Sequence, residues 1–355
     1  MSRFFTNRLS ALKPYTPGEQ PKDTVYIKLN TNESPFPPSE AVRKAVTLEA
    51  SRLQLYSDPE CRDLNRTAAE FFGVDPSQIL MTNGSDEILN FAFMAFGDEK
   101  NPFAFPSISY GFYPVFAALN RVPSKEIPLT NDFRIDVADY KEIGANIVIA
   151  NPNAPTGLYL GLDEIEYLLK NNRDHVVVID EAYIDFGGES AVSLIPKYEN
   201  LLVTRTFSKS YSLAGARLGF GIGNAALIAD MNTIKYSTNP YNVNRMTMAA
   251  GKAALEDAAY YREGCEKIMR TRERTRDSLL ALGFTVTDSK TNFLFAAHDK
   301  IGGKELYLKL KENGILVRHF DAPKIENYNR ITVGTDEQMD ILLQKIQSIL
   351  KGIEL

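Results

Sequence analysis

Between Gln78 and Gly223 the chain repeats one pattern, a short unbroken apolar run followed by a stretch with helical spacing. The runs are Ile79–Met81, Phe103–Phe105, Ile147–Ala150, Val176–Ile179, Leu201–Val203 and Leu218–Ile222. Runs this short, apolar at successive positions instead of alternate ones, are strands buried on both faces. Such strands, separated by helices, build a mainly parallel sheet with a helical layer on each side. The fold class is therefore α/β. It also fixes where to look for function, because open parallel sheets bind ligands at the carboxyl ends of their strands.

The rest of the chain is organised around that sheet. Residues 1–38 carry Pro14, Pro17, Pro21, Pro35, Pro37 and Pro38 and form an extended arm, which ends where Ser39 caps a helix. Residues 39–240 form the large domain. After Asn239-Pro-Tyr-Asn the character changes, and residues 241–355 form a smaller α/β domain to which the arm contributes. With a net charge of −5 and no long basic run, the chain lacks the footprint of a nucleic-acid binder. Cys61 and Cys265, with His175, His298 and His319, show no metal-type spacing. No stretch has the length and apolarity of a membrane span, and two cysteines in 355 residues suit a reducing cytoplasm.

Each strand end carries a polar signal. After Met81 comes Thr82-Asn-Gly-Ser-Asp86, where Gly84 permits a tight turn and Ser85 and Asp86 point their amides out of a helix start, an anion site. After Phe105 comes Ser107-Ile-Ser-Tyr110, with Tyr110 placed to stack on a flat ring and Gly111 leaving room beside it. Asn151-Pro-Asn-Ala-Pro-Thr-Gly157 is a stiff loop that fixes the amide of Asn153. His175-Val-Val-Val-Ile-Asp180 ends in a carboxylate that burial makes costly unless a cation meets it, and Tyr183 follows three residues later.

The last strand end is Thr204-Arg-Thr-Phe-Ser-Lys-Ser210, with Arg217 eight residues beyond Lys209. A lysine is strongly hydrated, and a place beside core strands makes it lose its proton and react with carbonyls. Thr206, Ser208 and Arg217 suit a phosphate. Taken alone, Ser208-Lys209 reads as a solvated loop. Taken together, the strand ends supply an anion turn, a stacking aromatic, a fixed amide, a buried acid and a reactive lysine. Those are the contacts of pyridoxal 5′-phosphate, an aldehyde carrying a phosphate.

Five segments bear a family resemblance: Leu29-Asn-Thr-Asn-Glu-Ser-Pro-Phe36, Gly84-Ser-Asp-Glu87, Asn151–Gly157, Asp180-Glu-Ala-Tyr-Ile-Asp-Phe186 and Arg205-Thr-Phe-Ser-Lys209. Across nearly the whole chain the sequence resembles the aspartate-aminotransferase superfamily of pyridoxal-phosphate enzymes (fold type I), and within it the histidinol-phosphate aminotransferase branch. The resemblance implies a mainly parallel seven-stranded sheet and a homodimer. It implies that Lys209 carries the cofactor and moves the proton, and that Asp180 pairs with the ring nitrogen. Asn153 and Tyr183 would bind the ring hydroxyl, Tyr110 would stack on the ring, and Ser85, Asp86, Thr206, Ser208 and Arg217 would take the phosphate. Tyr56 would reach the neighbouring subunit's cofactor, although the family's Tyr-Pro-Asp is here Tyr56-Ser-Asp58. Arg330, Arg318, Tyr15 and Asn32 would bind substrate.

The implied reaction is transamination between histidinol phosphate and 2-oxoglutarate, giving imidazole-acetol phosphate and glutamate, a step of histidine biosynthesis. Aromatic amino-acid transamination and, further off, decarboxylation of threonine phosphate are the alternatives that similar sequences carry. A cofactor-sensing domain of a transcription regulator would need a DNA-binding module ahead of Thr31.

Overall fold

The computed structural model describes residues 2–10, 12–21 and 25–353. Its strands, in chain order, are β1 (Ile27–Lys28), β2 (Ile79–Thr82), β3 (Phe103–Pro106), β4 (Ser124–Ile127), β5 (Asn146–Ala150), β6 (Val177–Asp180), β7 (Leu201–Thr206) and β8 (Gly219–Gly223). They are followed by β9 (Phe284–Val286), β10 (Phe293–His298), β11 (Ile315–Leu316), β12 (Arg318–His319) and β13 (Tyr328–Thr332).

Seven of these form the large sheet in the order β2-β8-β7-β6-β5-β3-β4. Pairings are parallel except around β8, which runs antiparallel to both β2 and β7. Successive side chains point to opposite faces, so each apolar run feeds two cores. Ile147, Ile149, Val177, Ile179, Leu201 and Val203 go to one face. Val148, Ala150, Val178 and Leu202 go to the other, against the helices Ser85–Phe96, Tyr113–Asn120 and Ala225–Thr238. Each buried Val, Ile or Leu among them contributes about 1.5–3 kcal/mol by burial.

The expected α/β architecture and mainly parallel seven-stranded sheet are present. The seventh strand, β4, had no apolar run to reveal it. It is Ser-Lys-Glu-Ile, an edge strand exposed along most of its length.

A second sheet, β12-β13-β10-β9, is covered by the helices Gly303–Glu312 and Asp336–Lys351. The N-terminal arm joins this unit: β1 pairs in parallel with β11, and Leu29 is wholly buried in the same core. Beyond residue 240 the chain still feeds the first core before it reaches the second. Val243, Ala250, Ala254, Leu255 and Tyr261 pack in the core of the large sheet, whereas Leu279 belongs to the second core. The changeover therefore falls within the helix Ala258–Ala281. Small residues on the helix Arg245–Glu256 make this docking possible, since a Cβ on Gly251 would sit 2.3 Å from the Leu218 side chain. Among the described residues no helix is long and apolar enough to cross a membrane, and Cys61 and Cys265 are buried free thiols.

Candidate active site

The carboxyl ends of β2, β3, β5, β6 and β7 open on the same side, and the arm folds over them. A cavity of about 700 Å³ lies there, with Lys209, Tyr183, Tyr110, Tyr15, Arg318 and Arg330 among its walls.

Lys209 follows β7 by three residues. Its Nζ donates to the carbonyl of Thr31 in the arm at 3.3 Å and lies 5.9 Å from the centre of the Tyr183 ring. Burial, reinforced by the positive charge of Arg330, lowers its proton affinity to about 8. Asp180, the last residue of β6, is buried. Its Oδ2 accepts from the Tyr113 hydroxyl at 2.9 Å and its Oδ1 from Thr204 Oγ1 at 3.2 Å. Burial outweighs these donors and pushes the carboxyl up to about 6 from its ordinary 3.8. Keeping it ionised at pH 7 in the cofactor-free protein therefore costs about 3 kcal/mol, as much as burying one large apolar side chain contributes.

The hydroxyl of Tyr183 accepts from Asn32 Nδ2 at 2.9 Å. Asn32 is held in turn by Thr332, whose hydroxyl donates to its Oδ1, and its carbonyl accepts from Asn292. Asn32 has a φ of 56°, a conformation asparagine tolerates, and this turns the arm inward at the cavity.

The anion turn is a built cradle. Gly84 has a φ of 83°, and a Cβ there would lie 2.6 Å from Nη2 of Arg217. Gly219 brings β8 against the same turn, since its Cβ would meet the backbone nitrogen of Ser85 at 2.3 Å. As the first residues of the helix Ser85–Phe96, Ser85 and Asp86 have N–H groups without intrahelical acceptors. Arg217 donates to Ser208 Oγ at 3.4 Å and to Asp86 at 3.2 Å, and Thr206 accepts from the Ser208 amide at 3.1 Å.

At the other end of the cavity, Arg330 donates to the carbonyl of Asn30 at 3.0 Å, and its buried Nε has no partner among the described residues. Arg318 donates to the carbonyls of Thr16 and Pro17. Tyr15 stacks on Phe112 with ring centres 4.3 Å apart.

At three expected positions the structure adds detail to the sequence reading. Both amide protons of Asn153 have acceptors, the Ile108 carbonyl at 3.0 Å and Thr156 Oγ1 at 2.9 Å, so the side chain ties its loop to the segment that follows β3. Asp86 is more than a backbone contact, for its carboxylate accepts from both Tyr110 and Arg217. Tyr56 is not brought into the cavity. It is 81% exposed and stacks on Tyr241. Tyr113 and Thr204, which hold Asp180, were not singled out from the sequence. The available signal was Thr204 itself, a hydroxyl inside a buried apolar strand and in register with Asp180.

This donor set fits pyridoxal phosphate. An anion cradle closed by Arg217, a buried carboxylate, a phenol and a lysine of lowered proton affinity are gathered at one set of strand ends, the chemistry that its phosphate, ring nitrogen, ring hydroxyl and aldehyde call for. Residues 24–346 match the model of aminotransferase class I and II. A histidinol-phosphate aminotransferase of Brachyspira hyodysenteriae is 51% identical over 99% of this chain and 100% of its own. One from Marinomonas sp. is 49% identical over 98% of this chain and 100% of its own. The chain belongs to the histidinol-phosphate aminotransferase family. Among solved structures, the histidinol-phosphate aminotransferase of Sinorhizobium meliloti in complex with pyridoxal-5′-phosphate superposes with a TM-score of 0.88 at 25% identity, covering 98% of this chain and 99% of that one. The histidinol-phosphate aminotransferases are pyridoxal-phosphate enzymes, and the cofactor of this chain is pyridoxal phosphate.

Proposed function

We propose that this chain transfers the amino group of histidinol phosphate to 2-oxoglutarate, giving imidazole-acetol phosphate and glutamate, as a cytoplasmic homodimer. The observation that carries the substrate choice is the pair Arg318 and Arg330 in the cavity of Lys209, both donating only to main-chain carbonyls among the described residues. Partly buried cations without acids are costly and suit an anionic ligand. One substrate brings a phosphate and the other two carboxylates, so a two-arginine pocket serves both half-reactions.

When bound, pyridoxal phosphate supplies an electron sink for the substrate's amino-bearing carbon. The Gly84 turn, Ser208 and Arg217 would hold its phosphate, Asp180 its ring nitrogen and Tyr183 its ring hydroxyl, with Tyr110 packing beside the ring. Lys209 Nζ takes a proton from the amino-bearing carbon and returns it. A base whose proton affinity lies near pH 8 is matched to that task. Arg330 grips a carboxylate in two-pronged fashion, and Arg318 with Tyr15 takes the distal anion. Tyr56, exposed and outside its own cavity, serves the neighbouring subunit. The arm to residue 38 acts as one wall of the substrate site.

The stacked Tyr15 and Phe112 favour a flat side chain, which keeps aromatic transamination as a second reading. A half-reaction screen separates them. The cofactor absorbance should shift with histidinol phosphate and with glutamate at micromolar to millimolar concentrations, and far less with phenylalanine. A stronger response to phenylalanine would favour the aromatic reading.

A further inference from the structure

Both carboxylate oxygens of Asp180 are met by hydroxyls from different elements. Tyr113 reaches Oδ2 from the first residue of the helix Tyr113–Asn120, and Thr204 reaches Oδ1 from β7. Tyr113 has no solvent exposure, and its ring is fully packed, edge-on to Tyr110 with centres 5.6 Å apart and tilted against Phe105 at 5.9 Å. A phenylalanine would fill that space without the cost of burying a hydroxyl, so the oxygen is kept for its contact with Asp180. We propose that Tyr113 is a positioning residue for Asp180, its hydroxyl, aided by Thr204, keeping the carboxylate ionised and aimed at the ring nitrogen of the bound cofactor. This rests on the reading of Asp180 as the ring-nitrogen partner.

The groups facing Asp180 divide by sign. Burial and the carboxylate of Asp86, from the helix Ser85–Phe96, favour the protonated acid. Tyr113, Thr204 and the backbone N–H of Ala182 favour the carboxylate, with Tyr113 foremost. Tyr110 and Tyr183 complete the surroundings, both as neutral phenols held protonated by burial. Removing the Tyr113 hydroxyl leaves burial less opposed, and Asp180 then keeps its proton at the pH where it would have to accept a hydrogen bond as a carboxylate from the ring nitrogen.

The test is Tyr113→Phe, made in the wild-type and Asp180→Asn backgrounds. In the wild-type background kcat should fall about tenfold, the effect of one lost hydrogen bond to a charged group, with KM for the amino donor within about twofold. The Tm of the cofactor-free protein supplies a readout independent of turnover. Burial of Asp180 costs stability increasingly as pH rises from its ordinary 3.8 to its folded value of about 6 and levels off above it, so a higher folded value in Tyr113→Phe should widen the Tm deficit between about pH 6 and pH 8. In the Asp180→Asn background the deficit should be flat with pH. Should Tyr113→Phe not fold, Thr204→Val, which removes the other donor at nearly constant volume, should give the same signature at smaller size. A flat deficit in both backgrounds with unchanged kcat overturns the proposal while leaving Asp180 in its role. Wild-type kcat in Asp180→Asn alone overturns the Asp180 reading and the proposal with it.

Discussion

Arg318 and Arg330 are direct cross-strand partners in the antiparallel pair β12–β13, two cations side by side on one ladder. Like charges in register destabilise a sheet. Burial compounds this at Arg330, where it holds the guanidinium below its ordinary proton affinity, with Arg318 adding to the effect. The pair is a cost to the ligand-free protein that an anionic ligand offsets.

Arg330→Met should therefore separate stability from function. The Tm of the cofactor-free variant is expected at or above that of wild type, because an unpaired buried charge has been exchanged for a thioether of similar length. Its kcat/KM should fall about a hundredfold or more with both glutamate and histidinol phosphate, as two charge-assisted hydrogen bonds are lost. Thermal unfolding beside steady-state kinetics measures both. A Tm several degrees below wild type would show that the guanidinium holds the fold through its bond to Asn30.

Arg318 lies nearer the arm, donating to Thr16 and Pro17. Arg318→Ala should lower kcat/KM for histidinol phosphate about tenfold to a hundredfold, one charge-assisted contact, and leave phenylalanine almost unaffected. Equal small losses for the two substrates would move the specificity to the aromatic alternative.

Lys209 makes a pH-dependent prediction. In the cofactor-free protein its proton affinity is about 8, against an ordinary 10.5. Below about 8 both folded and unfolded chains carry the proton, and the full cost of burying the cation is present. Between about 8 and 10.5 only the unfolded chain carries it, so stability rises with pH and the cost has vanished above that window. Lys209→Met removes the group. Its Tm should exceed wild type by a constant margin below pH 8 and converge on it as pH climbs, and a margin that ignores pH would mean that the lysine is solvated. The same variant should bind pyridoxal phosphate, resist borohydride trapping, and turn over at least about a hundredfold more slowly.

What the sequence disclosed and what it hid follow from one physical distinction. Residues whose type is improbable at their position were legible. Asp180 at the end of four apolar residues, three of them buried, Lys209 beside core strands and Gly84 before a helix start are all costly or unusual without a ligand. Residues whose type suits the core anyway were not. Tyr113 looks like any buried aromatic until its hydroxyl is seen on Asp180. Asn153 was recognised as fixed, but only the structure shows its amide protons shared between Thr156 in its own loop and the Ile108 carbonyl after β3. The exposed strand β4 and the two-residue strand β1 lack a hydrophobic signature, since one lies at a sheet edge and the other is too short to show a period.

Tyr56 yields the sharpest test of assembly. Its ring is 81% exposed and stacked on Tyr241, and its carbonyl is held by Arg245, so it is fixed on the surface away from its own cavity. If it serves the neighbouring subunit, each site of a homodimer uses Lys209 from one chain and Tyr56 from the other. Mix a Lys209→Ala chain with a Tyr56→Phe chain. The site that lacks Lys209 is inactive whatever its neighbour offers. The other site keeps its own Lys209 and receives an intact Tyr56 from the lysine-deficient chain, so it should work at the wild-type rate. A purified mixed dimer should then show about half of wild-type kcat, well above the mean of the two parents, each of which has every site defective. If Tyr56 acted within its own chain, the Lys209-bearing site would carry the Tyr56→Phe defect, and mixing would restore nothing.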